Sequence, residues 1–481
     1  MIFNLKKMED NLFLEKRKEI LKNFKIDIDM ETAIKFHRYL PEYKNFTKKI
    51  DKNFTNKKVA TQISLGSVLY EENLELISSF SKNEGVDFLA INVDAFSKEN
   101  KFENVERAIE ESKKSNKAIL NGYPIVNYGI EKTRKLVNES GVPLQLRHGS
   151  TNPKLLVEVA LASGISSIEG GGISHNIPFS KSVSLEESIE NWKYVDRLIA
   201  FYEENGISIH REPNSNLTAT LVPPAIANSI QILECLLAIE QGVKNISLSC
   251  SQNGNLIQDI ACLKALKESF NEYFSEFLNE DIKISTVFYQ WIGGVPNDAV
   301  KSYGIISYAT LVAKLARADR IYIKNPEEFS TNYLNVSLKN TVDLTKSILE
   351  LTAFQEFGNN DRVECEKKLI KKETKLIMDK ILELSKGELS KGIIEAFKLG
   401  IIDVPFAPSK YNLGKMMPAR DNEGMIRYLD IGNLPFDEEI KEFHRKKLEE
   451  RALRENREIN FQMTVDDIFS LSTGQLSSSS K

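Results

Sequence analysis

The chain has little with which to build several common kinds of protein. Its four cysteines, Cys235, Cys250, Cys262 and Cys365, show no CxxC spacing, so a disulfide scaffold or a thiolate metal site is not expected, and free buried thiols in a reducing cytoplasm are. The five histidines, His37, His148, His175, His210 and His444, include no HxH or HxxxH pair, so no dedicated metal site is expected. No GxxxxGK[ST] loop occurs, and no GxGxxG follows a strand pattern, which disfavours the common nucleotide-binding classes. No apolar run approaches the roughly 18 residues of a membrane span, and the N-terminal MIFNLKKMEDNLFLEKRKE lacks the apolar core of a signal peptide. Nor is there an excess of charge of one sign. A net charge of −4 with 27% charged residues describes a solvated surface without a nucleic-acid footprint. A soluble cytoplasmic protein without a membrane or nucleic-acid partner is expected.

What is present is a repeating pattern. At 481 residues the chain predicts a large core domain with appendages. Residues 1–55 alternate charged and apolar positions and predict an N-terminal helical arm. From Val59 onward, short β-branched runs alternate with amphipathic segments: Val59–Ile63, Val86–Val93, Lys117–Asn121, Pro143–Arg147, Ser166–Glu169, Ile207–Arg211, Asn245–Cys250, Lys283–Tyr289 and Arg320–Lys324. Helix-start signals stand between them, with Asn152-Pro153 as a cap and proline and Ser184-x-x-Glu187 as a capping box. Such alternation implies right-handed βαβ units on a parallel sheet. An α/β fold follows, a (β/α)8 TIM barrel over 56–330, and since a barrel takes eight strands, one of the nine candidates must lie outside it. A doubly wound open sheet competes but ranks lower, because polar residues stand at the ends of many strands rather than at one switch point. Residues 331–481 predict a C-terminal helical and loop region, with helices over Leu338–Leu351, Glu366–Leu384 and Lys391–Leu399, a structured loop over 406–421 and a disordered tail at Ser477–Lys481.

Five segments end on residues that a buried strand does not carry idly: Ser64-Leu65-Gly66, Ile119-Leu120-Asn121-Gly122, Leu144 to Gly149, Ser167 to Gly172, and Ile209 to Pro213. In a barrel these ends meet on one face, where the chemistry sits. Arg147 offers a planar fork for a carboxylate or phosphate, or an internal salt bridge. Glu169 precedes three glycines, read here as letting a ligand approach the backbone. Its carboxylate is suited to hold an ammonium group or act as general base; the alternative is a structural partner for Arg147 or Arg211. Lys324 is a Schiff-base nucleophile, a donor to a cofactor, or a strand-end cation. Together these residues describe an enzyme acting on an anionic, amino-bearing small molecule.

Longer runs go further. Leu120-Asn-Gly-Tyr-Pro-Ile-Val-Asn-Tyr-Gly129, Glu169-Gly-Gly-Gly-Ile-Ser174, Arg211-Glu-Pro213, Leu221-Val-Pro-Pro224, Thr286-Val-Phe-Tyr-Gln-Trp-Ile-Gly-Gly294 and Pro408-Ser-Lys-Tyr-Asn-Leu-Gly-Lys-Met-Met-Pro418 closely resemble the large (epsilon) subunit of glutamate mutase, also called methylaspartate mutase, nearly end to end. The resemblance implies an isomerase of the carbon-skeleton class, interconverting L-glutamate and L-threo-3-methylaspartate with adenosylcobalamin. It also implies a small partner subunit whose DxHxxG motif ligates cobalt, and two large subunits within a heterotetramer. By the same resemblance Glu169 is the catalytic residue that holds the substrate amino group, and Arg147, with His148 beside it, belongs to the carboxylate clamp. Cofactor-contact positions match at Gly66, Asn121, Pro178, Lys324 and Glu328. The chain departs from the family pattern where two clamp arginines become Ser64 and Lys98 and two substrate tyrosines become His175 and Phe179. Near the cofactor, aromatic positions become Asn214 and Val295 and an aliphatic one Asn332. These departures imply either compensation by Lys98 and His175 or an amino-acid substrate lacking the second carboxylate. A cofactor-independent barrel lyase using Lys324, and a ligand-binding paralogue without turnover, are the competing readings.

Overall fold

In the computed structural model, residues 6–56, 58–83, 85–214, 221–277, 282–325, 336–356 and 358–473 are described. Eight parallel strands close a barrel in chain order: β1 (Ala60–Leu65), β2 (Phe88–Asn92), β3 (Leu144–Arg147), β4 (Ser167–Glu169), β5 (His210–Glu212), β6 (Asn245–Ser251), β7 (Lys283–Tyr289) and β8 (Arg320–Tyr322). Pairing of Ala60 with Arg320 brings β8 back to β1. The (β/α)8 barrel expected from the strand–helix alternation is the fold.

The ninth strand candidate, Lys117–Asn121, is the one outside. β2 pairs directly with β3, Leu89 opposite Leu144, which leaves no place between them. The candidate segment instead crosses the C-terminal mouth, touching it through single bridges, Ser67 to Asn121 and Val93 to Tyr123. Gly122, at φ +114°, makes the close approach possible: a Cβ there would lie 2.5 Å from the Asp94 nitrogen.

Strand side chains alternate between two unlike environments. Ile63, Leu89, Leu146, Ile168, Ile209, Leu248 and Ile321 pack in the main apolar core. The interior of the barrel is polar and hydrogen-bonded. Gln62 Nε2 donates to Gln145 Oε1 (2.7 Å), and Gln145 Nε2 donates to Ser167 Oγ (3.0 Å) and Glu212 Oε2 (3.1 Å). His210 bridges Ser167 Oγ (2.8 Å) and Ser247 Oγ (2.7 Å), and Arg320 donates to Gln62 and Glu212. Phe46, at the start of the helix Phe46–Asn56, plugs the base, its ring stacked on His210 at 4.5 Å and tilted against Phe88 at 4.4 Å.

The N-terminal residues form the expected helices, Asp10–Asn23, Met30–Tyr39 and Phe46–Asn56. Ser184 caps the helix Leu185–Glu204 as its capping box predicts, accepting from the Glu187 nitrogen. The Asn152-Pro153 reading is corrected: the helix Lys154–Ala162 begins without a side-chain cap, and Pro153 takes the cap position. Beyond residue 335 the expected helices appear as Val336–Leu351, Asp361–Ser385 and Leu389–Leu399. The stretch read as a structured loop ends in a strand, β9 (Met417–Arg420), which pairs antiparallel with β10 (Ile426–Asp430) around a turn at Gly424 (φ +81°). Two further helices follow, Glu438–Glu455 and Phe461–Ser470. The hairpin grips the loop after β6 and the start of the helix Leu256–Phe277 that follows: Gln258 exchanges hydrogen bonds with the Ile426 backbone (2.8 and 3.2 Å), and Arg420 Nη2 donates to the Asn253 carbonyl (2.7 Å). Ser477–Lys481 lies outside the described residues. No described helix is long and apolar enough to cross a membrane. Cys235, Cys250 and Cys262 are buried free thiols, whereas Cys365 is exposed.

Candidate active site

At the C-terminal strand ends a cavity of about 510 Å³ opens, a size typical of small-molecule sites. It gathers Ser64 at the end of β1 with Gly66 just beyond it, Asn92 at the end of β2, Lys98 from the short helix Ala95–Lys98, Asn121 and Gly122 from the crossing segment, and Arg147 at the end of β3 with His148 next to it. Glu169 from β4, His175, Phe179, Asn214, Tyr322 and Lys324 complete it. A larger cavity of about 590 Å³ lies at the opposite end of the barrel. Its Asp319 carboxylate is taken up by the Thr286 amide and hydroxyl, each at 2.7 Å, and that face of such barrels serves stability.

Glu169 ends β4 and is 1% exposed. Its Oε1 lies 3.7 Å from His175 Nε2 and has no hydrogen-bond partner. Burial favours the neutral acid, but the charge of Arg147 and the His175 ring outweigh it and hold the carboxyl below its usual range. A buried, ionised carboxylate with an unused oxygen is an acceptor prepared for a cationic donor.

His148 is oriented on both faces. Its ring stacks on Trp192 at 5.4 Å, and Nδ1 accepts from the Ser150 nitrogen at 3.1 Å. Burial, then the neighbouring His175, depress its pKa well below the ordinary histidine value, so the ring is neutral with its proton on Nε2. That buried nitrogen has no hydrogen-bond partner, and His148 lines the cavity.

Arg147 Nη1 donates to Tyr289 Oη at 3.1 Å, and its guanidinium packs 4.4 Å from the Tyr322 ring and 5.1 Å from the Tyr289 ring. Ser64 Oγ accepts from Asn92 Nδ2 at 3.0 Å. Lys98 ends a one-turn helix capped by Asp94, which accepts from the Phe96 and Ser97 nitrogens, and its Nζ reaches 3.9 Å from the point where a Cβ on Gly149 would stand. Lys324 is buried, and its backbone nitrogen donates to Gln290 Oε1 at 2.8 Å.

The family model of the methylaspartate mutase E chain matches residues 40–479. The chain belongs to that family. It is 55% identical over 478 residues to the glutamate mutase epsilon subunit of Fusobacterium nucleatum, covering 99% of each chain. The glutamate mutase epsilon subunit of Treponema denticola is 42% identical over 473 residues, with 98% of each chain covered, and that of Desulfitobacterium hafniense 41% identical over 474 residues, with 98% of this chain and 97% of the relative covered. A methylaspartate mutase E chain is part of an isomerase, and the chain is accordingly an enzyme subunit of the isomerase class.

For this methylaspartate mutase family member the structure brings together most of the residues singled out from sequence. Ser64, Lys98, Arg147, His148, Glu169, His175 and Phe179 line the cavity, as do Gly66, Asn121, Asn214 and Lys324. Pro178 and Val295 are half-buried and lie off its lining. Glu328 and Asn332 fall outside the described residues.

The glycines after Glu169 have another occupant than a ligand. Glu234, from the wholly buried helix Pro224–Glu240, inserts its carboxylate against them. It accepts from the Gly172, Ile173 and Ser174 nitrogens at 3.2, 2.8 and 2.8 Å. A Cβ on Gly171 would meet Glu234 Oε1 at 2.1 Å. Arg211, once a possible partner for Glu169, is engaged by Asp196 (2.8 Å) and the Gly170 carbonyl. Sequence reading missed Asn92, Tyr289, Tyr322 and Trp192. An alternating strand does not announce which phase faces inward, and Trp192 arrives from a helix outside the barrel.

Proposed function

We propose that the chain is the substrate-binding large subunit of an adenosylcobalamin-dependent carbon-skeleton mutase of the glutamate mutase type, acting on an amino acid. One observation carries the reading: an ionised, partner-seeking Glu169 stands in the same cavity as the cations Arg147 and Lys98. An amino acid presents the complementary pair, an ammonium for Glu169 and a carboxylate for the Arg147 fork, with His148 Nε2–H as a further donor to a carboxylate oxygen.

The cavity fits the cofactor's nucleoside portion. Gly66 and Gly122 line it with backbone, and Asn121 and Lys324 supply polar groups; these residues would hold the group. Bound there, adenosylcobalamin would supply the radical chemistry of a carbon-skeleton rearrangement. The chain's own part is to bind and aim. Glu169 fixes the amino end, Arg147 the carboxylate end, and Trp192, His148 and His175 form an aromatic wall that excludes water beside them. All five histidines are buried, so none stands on the outer surface where a cobalamin carried by another subunit would dock. On this reading cobalt is ligated by a small partner with a DxHxxG motif, assembled with two large subunits as a heterotetramer, in the cytoplasm.

L-Glutamate to L-threo-3-methylaspartate is the default reaction. A second reading is favoured by the cationic side of the cavity, where Arg147 is the single arginine among the lining residues, and Lys98 and Ser64 stand where further forks would serve a second carboxylate. On that reading the preferred amino acid has a neutral or smaller distal group. Equilibrium dialysis tests the assembly: the purified chain should bind adenosylcobalamin weakly alone and tightly with its small partner. Tight binding by the isolated chain, or no carbon-skeleton product from any amino acid in the loaded complex, would overturn the proposal.

A further inference from the structure

Arg147 is the terminus of a buried chain of polar groups that runs down the barrel axis. Its Nη1 donates to Tyr289 Oη at 3.1 Å. The Tyr289 hydroxyl in turn donates to Glu212 Oε1. Glu212 Oε2 accepts from Arg320 and from Gln145 Nε2 (3.1 Å). Tyr289, Glu212 and Arg320 are each no more than 2% exposed. The Tyr289 and Tyr322 rings stack on one another at 4.7 Å, and the guanidinium lies over both.

The donor directions are determined by chemistry. Glu212 is held ionised: burial opposes the charge, but Arg320 and the hydrogen bonds of Tyr289, Arg320 and Gln145 overcome it. A carboxylate only accepts, so the single phenolic proton of Tyr289 is committed to Glu212. The Tyr289 oxygen then has only lone pairs to offer Arg147. Burial and the Glu212 charge also keep Tyr289 from ionising, so the arrangement does not change with pH in the working range. The hydrogen bond to Tyr289 and the two ring faces restrict both the plane and the rotation of the guanidinium. A side chain as long as arginine otherwise loses much rotamer freedom when it binds.

We propose that Tyr289 is a positioning and specificity-determining residue. Braced by Glu212, it holds the Arg147 fork in the plane that receives a substrate carboxylate, and so favours carboxylate over amide or alcohol at that end of the ligand. The inference rests on the reading of Arg147 as the carboxylate partner. Tyr289 touches no reacting atom and acts through Arg147.

The test uses the full chain reconstituted with its cobalamin-binding partner and adenosylcobalamin, with L-glutamate as probe. Tyr289→Phe keeps the ring and removes the bond; KM should rise about tenfold, the weight of one charge-assisted hydrogen bond, with kcat nearly unchanged. Arg147→Lys should raise KM at least as much. In the Arg147→Lys background, adding Tyr289→Phe should change KM less than twofold, because the residue it acts through is gone. An unchanged KM for Tyr289→Phe, or the same tenfold effect in both backgrounds, overturns the positioning role while leaving the cavity reading intact. An unchanged KM for Arg147→Lys overturns both. If Tyr289→Phe fails to fold, Tyr322→Leu, which removes the ring beneath the guanidinium and keeps the Tyr289–Glu212 bond, is read by the same cycle.

Discussion

Glu169 Oε1 stands 3.7 Å from His175 Nε2, both side chains buried at the cavity wall, and neither the carboxylate oxygen nor His175 Nδ1 has a hydrogen-bond partner. The pair is near enough for charge interaction and too far apart for a hydrogen bond. It is the geometry of two groups arranged about a ligand rather than about each other.

The first expectation follows from that spacing. Glu169→Gln is nearly isosteric but offers an ammonium group no charge. Turnover in the reconstituted complex should fall by about a hundredfold or more, as for other groups that position a reacting centre, with circular dichroism unchanged. Unchanged turnover with unchanged dichroism would make Glu169 structural.

The second concerns substrate choice. Burying a carboxylate without an adequate cationic partner is costly. Arg147 serves one carboxylate, whereas a second would depend on Lys98, a point charge without a fork, and on the Ser64 hydroxyl. L-Glutamate should therefore show a raised KM against amino acids with a neutral or smaller distal group. Ser64→Arg with Lys98→Arg should shift kcat/KM toward glutamate by about tenfold or more. Efficient glutamate turnover by the unmodified complex would sink the idea and would assign the missing contacts to Lys98 and His175.

A third expectation concerns acid stability. His37, from the helix Met30–Tyr39, binds the Leu161 carbonyl through Nε2 at 2.7 Å, and burial lowers its pKa from 6.5 to about 4. Below pH 6.5 the unfolded chain takes up a proton that the folded chain refuses. The stability from this site is therefore complete above that pH and is lost as pH falls toward 4, at about 1.4 kcal/mol per unit. His37→Gln keeps a donor for Leu161 and removes the titration. In urea unfolding, the variant should gain on the native chain by about 1 kcal/mol per unit between pH 6 and 4.5; parallel pH curves would show that His37 does not titrate on unfolding.

The fourth separates scaffold from site after Glu169. Gly171→Ala places a methyl group where Glu234 Oε1 now stands. Overpacking of this kind typically costs about 1–3 kcal/mol, so thermal unfolding should shift down by several degrees. Gly206→Ala, where nothing lies within 4 Å but φ is +79°, should cost only the backbone strain, roughly 1 kcal/mol. Equal effects at the two positions would remove the role assigned to Glu234.

Much of the architecture was legible in one dimension. Strand and helix periods differ, and nine β-branched runs separated by amphipathic segments leave few parallel arrangements. The site was legible for a related reason. Ser64, Arg147 and Glu169 sit where strands end, and a closed barrel brings all its strand ends to one mouth. The long motifs around Glu169 and Thr286 were sufficient to indicate the family.

Other features were decided only by the tertiary structure. Lys117–Asn121 has the composition of a strand, but β2 and β3 already satisfy each other's backbone groups, and it becomes a strap over the mouth. Three glycines after a carboxylate look the same in sequence whether a ligand or Glu234 will fill the space they leave. Tyr289, placed 142 residues from Arg147, becomes its anchor because barrel closure carries β7 across from β3. Which polar groups pair inside the barrel, and which are left without a partner beside the cavity, depends on distances that the chain acquires only when the ring closes.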